Sequence, residues 1–555
     1  MGDGYRMEPT PAAGPGQPGE RKPRARKRPK GAPTHVRSWP LRLDPAQQRV
    51  IRTRFFTGVR VYNAVLAEFI GRSRAVKADP AWQAARQLPR RSKAQRAARR
   101  AAFDAVVAAH GFTAGAAQSF ASALRQSWVR EHLPAQETQN LGARAFDAVK
   151  QWHLRRRGKP RFKSKKRGLH SLAAKDGHGA LRPKTDAAGR LAGLQCGAGL
   201  VVAIAAPARS GRRGKEQQAE LAEVEALIAA GKVLSTRMVR TVINGRDTYR
   251  MQMVCDGHPT RRHRVGDGRV CFDLGPSAIA VAVERGDGTW TGWIEPLADR
   301  IGLNTVRLRR TQRRLDRQHR AGSPGCFHPD GTHRCGGCDW QRSGSAGRAK
   351  TRLAELHRRM GEHRKALHGA LANRLLAHGA DIACEKLDYA AWQKNFPRRV
   401  RDRAPGLLVK TMRRKAESAG GHRLYEFNPK TTALSQTCLC GDRNKKPLCQ
   451  RVHRCGCGIT EHRDLFSAYL GLHVRAAAAD GSDRLDLEAA RQGWLHRHDV
   501  DGLSRSSRTA VSNRRGRRHP PSRRSVARIK ARRAAKRQSR SARTSTTNRP
   551  TAVPT

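Results

Sequence analysis

The sequence predicts a mixed architecture, an α/β domain together with separate α and β parts, and three observations carry it. Two apolar runs end in an acid, Val270-Cys271-Phe272-Asp273-Leu274-Gly275 and Ile382-Ala383-Cys384-Glu385, and a helix-length, Arg-rich stretch lies between them. Residues 45–155 repeat their apolar positions at helical spacing. Residues 190–257 are apolar or alternating, as strands are, with Asn244-Gly245 as a hairpin turn.

In chain order, residues 1–34 are rich in Gly, Pro, Lys and Arg and are expected to be a disordered basic arm. His35 to Leu43 alternates like a strand. Asp44 then supplies an N-cap and Pro45 a first helical turn, because an extended Asp accepts from the free N–H groups and Pro lacks one to lose. Residues 45–180 are expected to be a helical domain with a basic face, ending in the loop Arg155 to Arg167, where Gly and Phe interleave the cations and suit phosphate contact and base stacking. Residues 35–44 and 181–262 are expected to form a small β-barrel that the helices interrupt.

Residues 263–430 and 459–502 read as one α/β domain. The strand holding Asp273 is followed by Ala278 to Val283, the turn Asp287-Gly288, and Thr289 to Ile294, which make a three-stranded meander. Two long Arg-rich helices follow, Val306 to His319 and Ala349 to Leu376, then the strand ending at Glu385. Asp464 opens a helix-like run, His462-Arg463-Asp464-Leu465-Phe466-Ser467-Ala468. Residues 503–555 are rich in Arg, Ser, Thr and Pro with no acid after Asp501, and are expected to be a disordered basic tail.

Charge narrows the partners. Lys and Arg number 112 against 44 Asp and Glu, a formal net charge of +68 over 555 residues. A folded chain this basic repels itself unless it meets an anion, and nucleic acid is the expected one, with a membrane surface as the other. No apolar run reaches the length of a membrane span and no apolar leader opens the chain, so a cytoplasmic, nucleoid-associated location is expected. Twelve cysteines in such a chain read as metal ligands or core residues rather than disulfides.

Asp273, Glu385 and Asp464 are the candidate catalytic residues. Phosphodiester hydrolysis needs an activated water and charge relief on the leaving oxygen, and two Mg²⁺ or Mn²⁺ ions supply both. Such hard cations take oxygen ligands, held on rigid elements that converge. Cys438, Cys440, Cys455 and Cys457 form two Cys-x-Cys-Gly pairs in residues 431–458 and are expected to hold a structural Zn²⁺, with Cys449, His453 and His462 as alternative ligands. Cys326, His333, Cys335 and Cys338, with His328, form a second cluster in a Pro/Gly loop, either a further zinc site or incidental cysteines.

In the order Asp273-Leu274-Gly275, Cys384-Glu385-Lys386-Leu387, Leu434-Ser435-Gln436-Thr437-Cys438, then Arg463-Asp464-Leu465-Phe466-Ser467-Ala468, the chain resembles the TnpB-like RNA-guided nucleases. These are encoded by insertion sequences, often called transposases, and related to miniature type V CRISPR effectors. The resemblance spans about residues 35–475 and is strongest over 268–470. It implies a wedge-type β-barrel split by a helical recognition domain, then an RNase H-like (RuvC) nuclease domain with an inserted zinc ribbon. It also implies a guide RNA, a double-stranded target DNA with a short adjacent motif, and Mg²⁺-dependent DNA cleavage. Carried over, the catalytic acids are Asp273, Glu385 and Asp464, and the ribbon ligands Cys438, Cys440, Cys455 and Cys457.

The sequence departs from that pattern in three places. Leu465-Phe466-Ser467-Ala468 replaces the usual Asn-Ala-Ala after the last acid, the zinc pairs are Cys-x-Cys, and the 326–338 loop is additional. Three other readings stand beside the first: a guided DNA-binding protein with weak or no cleavage, an RNA-independent DNA transposase, and a non-enzymatic RNA-binding protein.

Overall fold

The computed structural model describes residues 29, 31–164, 167–174, 179–197, 199–259, 263–334, 338, 341, 343–420, 422–447, 449–476 and 482–497. The expected basic arm (but for its last few residues) and the expected tail lie outside them. The chain divides into two compact units: residues 1–269, 297–382 and 387–426, and residues 270–296, 383–386 and 427 onward.

The first unit holds a seven-stranded sheet and the helices packed on it. Its strands are β1 (Thr34–Arg42), β2 (Ser171–Ala173), β3 (Leu181–Thr185), β4 (Leu191–Cys196), β5 (Val201–Ile204), β6 (Val233–Ile243) and β7 (Arg246–Asp256). They lie in the order β2-β6-β7-β1-β5-β4-β3, and the sheet curls until β3 approaches β6. β1 pairs with β7 from Thr34 to Pro40, then with β5 at Leu41 and Arg42. The change of partner falls next to Pro40, which has no N–H to give a ladder. Asn244 and Gly245 join β6 to β7 with φ of +49° and +82°, the paired left-handed values of a two-residue hairpin.

The helix Pro45–Ala78 starts as the sequence dictates. The Asp44 side chain accepts from the Gln47 N–H at 2.7 Å, Gln47 reaches back to the Asp44 N–H, and Pro45 opens the first turn. Its apolar face packs on the sheet, where Phe55 meets Tyr249 with ring centroids 5.8 Å apart. Inside this core Arg54 forks onto Glu137, which is wholly buried, and donates to the Cys196 carbonyl at 2.8 Å. Burial raises the Glu137 pKa, and the Arg54 charge opposes it. The basic loop is pinned to the same helix: Asn63 donates to the Lys163 carbonyl and accepts from its N–H, each at 2.8 Å. Phe162 beside it is exposed.

Two expectations need correction here. Residues 190–257 are not all β, because Gly211–Ala229 is a helix between β5 and β6. Leu221, Val224, Leu227 and Ile228 recur at helical spacing and face the core, a period that the flanking alternating runs obscured. Residues 45–180 are not all helix and loop, because β2 lies within them and pairs with β6.

The rest of the first unit contains the long helices Gly302–Gly322 and Gly344–His378, packed on each other, and Pro405–Gly420, packed on the second of them. Among the described residues no helix is long and apolar enough to cross a membrane.

A five-stranded sheet leads into the second unit. Its strands are β8 (Gly268–Leu274), β9 (Ala278–Glu284), β10 (Trp290–Pro296), β11 (Gly379–Glu385) and β12 (Leu424–Phe427), in the order β10-β9-β8-β11-β12. The predicted meander is present, and the strand ending at Glu385 lies beside the one carrying Asp273. Two small hairpins follow: β13 (Val452–Arg454) with β14 (Thr460–His462), and β15 (Val474–Ala476) with β16 (Asp483–Leu485). The first extends past the expected ribbon limit of 458, since Val452 pairs with His462.

Candidate functional site

All three acids belong to the second unit. Asp273 is the last residue but one of β8, and Glu385 ends the neighbouring β11. Asp464 sits in the first turn of the helix Arg463–Leu472. That helix packs on β9 and β10 and comes very close to β8. A side chain at Gly471 would overlap the Cys271 sulfur, and one at Gly292 would come within 2.6 Å of Leu465 Cδ1. Glycine at these two positions is therefore a condition of the approach. Cys271 and Asp273, two residues apart on a strand, point to the same face. The strand alternation that sends Cys271 to the helix thus sends Asp273 toward the same helix.

The electrostatics follow. Asp273 is half-buried, but its carboxyl is surrounded by protein. Burial holds it well above the usual carboxylate range, and the Glu385 and Asp464 charges push it further. Arg463 and the Ser467 hydroxyl oppose that rise. Ser467 Oγ is buried and has no direct hydrogen-bond partner among the described residues. Glu385 is also raised, by burial first and the Asp464 charge second. Asp464 is 29% exposed and ion-paired with Arg451 at 3.3 Å and Arg463 at 3.6 Å. Two carboxyls raised by burial and by neighbouring acids, beside a third that is ion-paired with arginines, are a donor set whose crowding a divalent cation relieves. The residues fit Mg²⁺ or Mn²⁺ by the chemistry of their oxygen donors, although among the described residues the three carboxylates do not gather as closely as the four thiols of Cys438, Cys440, Cys455 and Cys457 do.

Arg451 and Ser467 were not singled out from the sequence. Arg451 reaches Asp464 because the β13–β14 hairpin folds back, with the Arg463 N–H on the Arg451 carbonyl at 2.8 Å. Ser467 lies one helical turn after Asp464, the single local signal that could have marked it.

Cys438, Cys440, Cys455 and Cys457 converge as expected, with all sulfurs within 4.8 Å of one another. Cys438 and Cys457 are 3.5 Å apart, as are Cys440 and Cys455. Tetrahedral zinc with Zn–S bonds of about 2.3 Å separates its sulfurs by about 3.8 Å, so the cluster is close to the required size. Each knuckle turns at a glycine of positive φ, Gly441 and Gly458, and backbone N–H groups of the turns point at the thiols, Cys440 N–H at Cys438, Asp442 N–H at Cys440 and Cys457 N–H at Cys455. The Cys457 N–H and the neighbouring thiols bring Cys455 down to about 7. Of the alternative ligands, His462 caps the Arg463–Leu472 helix, accepting from the Asp464 N–H at 3.2 Å, and Cys449 is exposed outside the cluster. His453 is buried and stacked on Phe466, centroids 4.4 Å apart. Within the departing run, the Phe466 side chain thus joins the β13–β14 hairpin to the Asp464 helix, and it also meets Trp494 edge-on at 5.4 Å.

The second Cys/His loop copies the backbone of the first knuckle bond for bond. His328 N–H to Thr332 O, Gly331 N–H to His328 O and Arg334 N–H to Cys326 O reproduce Cys438 to Asp442, Gly441 to Cys438 and Asn444 to Gln436. His328 and Asp330 thus stand where Cys438 and Cys440 stand, and the Asp330 carboxylate holds the Thr332 N–H at 2.8 Å. Cys326 is buried and His333 lies against Phe327. Cys335 lies outside the described residues. Among the described residues Cys326, His333 and Cys338 do not gather as the ribbon thiols do.

No family model and no curated protein matches the chain. Among solved structures it is similar to one described as the cryo-EM structure of a Cas12f1-sgRNA-target DNA complex, at 11% identity and TM-score 0.40, over 80% of this chain and 98% of that one. It is also similar to the cryo-EM structure of a CRISPR-Cas12f ternary complex, at 14% identity and TM-score 0.27, over 76% of this chain and 81% of that one.

Proposed function

We propose that the chain is an RNA-guided, Mg²⁺-dependent DNA endonuclease of the TnpB-like kind, with Asp273, Glu385 and Asp464 as its metal-holding acids in an RNase H-like domain. The observation that carries the reading is the carboxylate cluster itself. Acids on two neighbouring strands are raised by burial and by the charge of a third acid on a closely packed helix, an arrangement that costs stability unless cations occupy it. Bound Mg²⁺ or Mn²⁺ would supply an activated water and relief of charge on the leaving oxygen.

The chain's own residues do the positioning. The close contact of Gly471 with β8 sets the distance between Asp464 and Asp273. Arg451 and Arg463 hold the Asp464 carboxylate in place. The four ribbon cysteines would hold a structural Zn²⁺ that braces the hairpin delivering Arg451. A guide RNA would supply sequence specificity by base pairing, leaving the protein to grip backbone, and the net charge of +68 suits that division. A guide RNA, and a target duplex with a short adjacent motif, are the partners in this reading.

The test is direct. RNA that co-purifies with the chain is sequenced, and the ribonucleoprotein is given Mg²⁺ and a duplex matching that RNA. Cleavage by wild type and none by Asp273→Ala is expected. Cleavage that survives Asp273→Ala, or a preparation that carries no RNA, overturns the reading. Binding of the duplex without any cutting would instead favour the guided binder.

A further inference from the structure

The first unit contains a large cavity of about 1140 Å³ between the helices Gly302–Gly322 and Gly344–His378. Six arginines line it: Arg307, Arg310 and Arg314 from the first helix, Arg348, Arg352 and Arg359 from the second. All are exposed. Within each helix they recur at intervals of three to seven residues, so the cations form a row along each wall.

The acid in this lining is already committed. Glu355 pairs with Arg358 at 2.7 Å and Arg359 at 2.8 Å and accepts from the Asn244 N–H at 3.4 Å. Hydrogen bonds from Arg358, then from Arg359, hold it down to about 2. It therefore stays charged and steadies Arg359 while offering nothing to the other five. Among the described residues Arg307, Arg310, Arg314, Arg348 and Arg352 form no ion pair. Five such guanidinium groups facing one space repel one another, and only an anion of distributed charge offsets that.

The chemistry of the lining narrows the anion. The cations are all arginines, whose planar forks match phosphate oxygens in pairs. Between them lie neutral donors and small residues, Asn244, Thr311, Ser345 and Gly347, and a side chain at Gly347 would meet nothing within 4 Å. The floor is low enough for a chain to approach closely, and the neutral groups suit sugar and phosphate oxygens. The hairpin tip bounds one end, since a Cβ on Gly245 would come within 3.1 Å of Thr351. A walled cleft of this kind suits a strand running lengthwise rather than a flat lipid surface.

We infer that the cleft between these two helices holds the sugar–phosphate backbone of one nucleic-acid strand, gripped through phosphates without base readout. The inference rests on the proposed nucleic-acid partner and adds the surface that grips it, remote in sequence from the three acids.

The test uses the full chain without added Mg²⁺ or Mn²⁺, so that no cutting occurs. Binding of a fluorescein-labelled single-stranded RNA, and of DNA of the same sequence, is measured by anisotropy over a range of salt. Each phosphate contact contributes about 0.7 to the slope of log affinity against log salt for a single strand. The combined variant Arg307→Gln, Arg314→Gln, Arg352→Gln should lower that slope by about 2 and weaken binding roughly ten- to hundredfold at moderate salt. Thermal midpoint and zinc content should stay at wild-type values, because these side chains are exposed and unpaired among the described residues. A larger loss for RNA assigns the strand to RNA, a larger loss for DNA assigns it to DNA, and equal losses mean the 2′-hydroxyl is not read. The control variant Arg209→Gln, Arg213→Gln, Lys215→Gln removes three exposed cations outside the cleft. An unchanged slope in the cleft variant, or an equal loss in the control, overturns the inference while leaving the proposed function standing. Failure of wild type to bind either strand overturns both.

Discussion

Gly471 offers a test of how closely the acids depend on packing. Replacing it with Ala puts a Cβ into the Cys271 sulfur and 3.4 Å from Phe427 Cζ. Ordinary contact between such atoms begins at about 3.5 Å, so helix and strand must separate by about 1 Å. Overpacking of this kind costs about 1–3 kcal/mol. The same separation carries Asp464 away from Asp273, and a 1 Å misplacement at a reacting centre costs about a hundredfold in rate. Cys271→Ala removes the offending sulfur, and the next contacts of the new Cβ are then Phe427 at 3.4 Å and the residue 271 Cβ at 3.5 Å, close to ordinary packing. The double variant should therefore recover most of the stability and most of the rate, a large non-additive coupling. The assays are thermal unfolding and single-turnover cleavage of a matched duplex. Wild-type stability and rate in Gly471→Ala would refute the reasoning. So would a double variant no better than the single one.

The acids and the ribbon give further expectations. Asp273 is raised above its unfolded pKa of about 4. The folded state therefore holds the proton more tightly, and the stability this contributes is full below that pH and lost as pH rises through the raised value. The cation-free Asp273→Asn variant should be more stable than wild type at neutral pH and less pH-dependent, while added Mn²⁺ should stabilise wild type only. A variant less stable than wild type at neutral pH in scanning calorimetry contradicts this. Cys440→Ser should lose bound zinc and, by releasing the β13–β14 hairpin that brings Arg451 to Asp464, slow cleavage although no acid is touched. Metal analysis showing zinc retained, or an unchanged rate on its loss, removes the ribbon from that role.

Local chemistry decided a good deal of this protein before any contact was known. The Asp44-Pro45 helix start, the Asn244-Gly245 hairpin, the meander after Asp273 and the paired Cys-x-Cys-Gly turns were all legible, because each depends on neighbours a few residues away. The Gly211–Ala229 helix was legible in principle and hidden by the strands on either side. The rest required the fold. No local pattern states that β11 lies beside β8, that Gly471 seats the Asp464 helix against Cys271, or that a hairpin carries Arg451 back to Asp464. Nothing local to Leu465-Phe466-Ser467-Ala468 states that Phe466 packs between His453 and Trp494. Residue types and their spacing determined which groups could do chemistry. Burial and long-range packing alone decided which of them share one low-dielectric space, since pKa and geometry depend on neighbours in space and not in sequence.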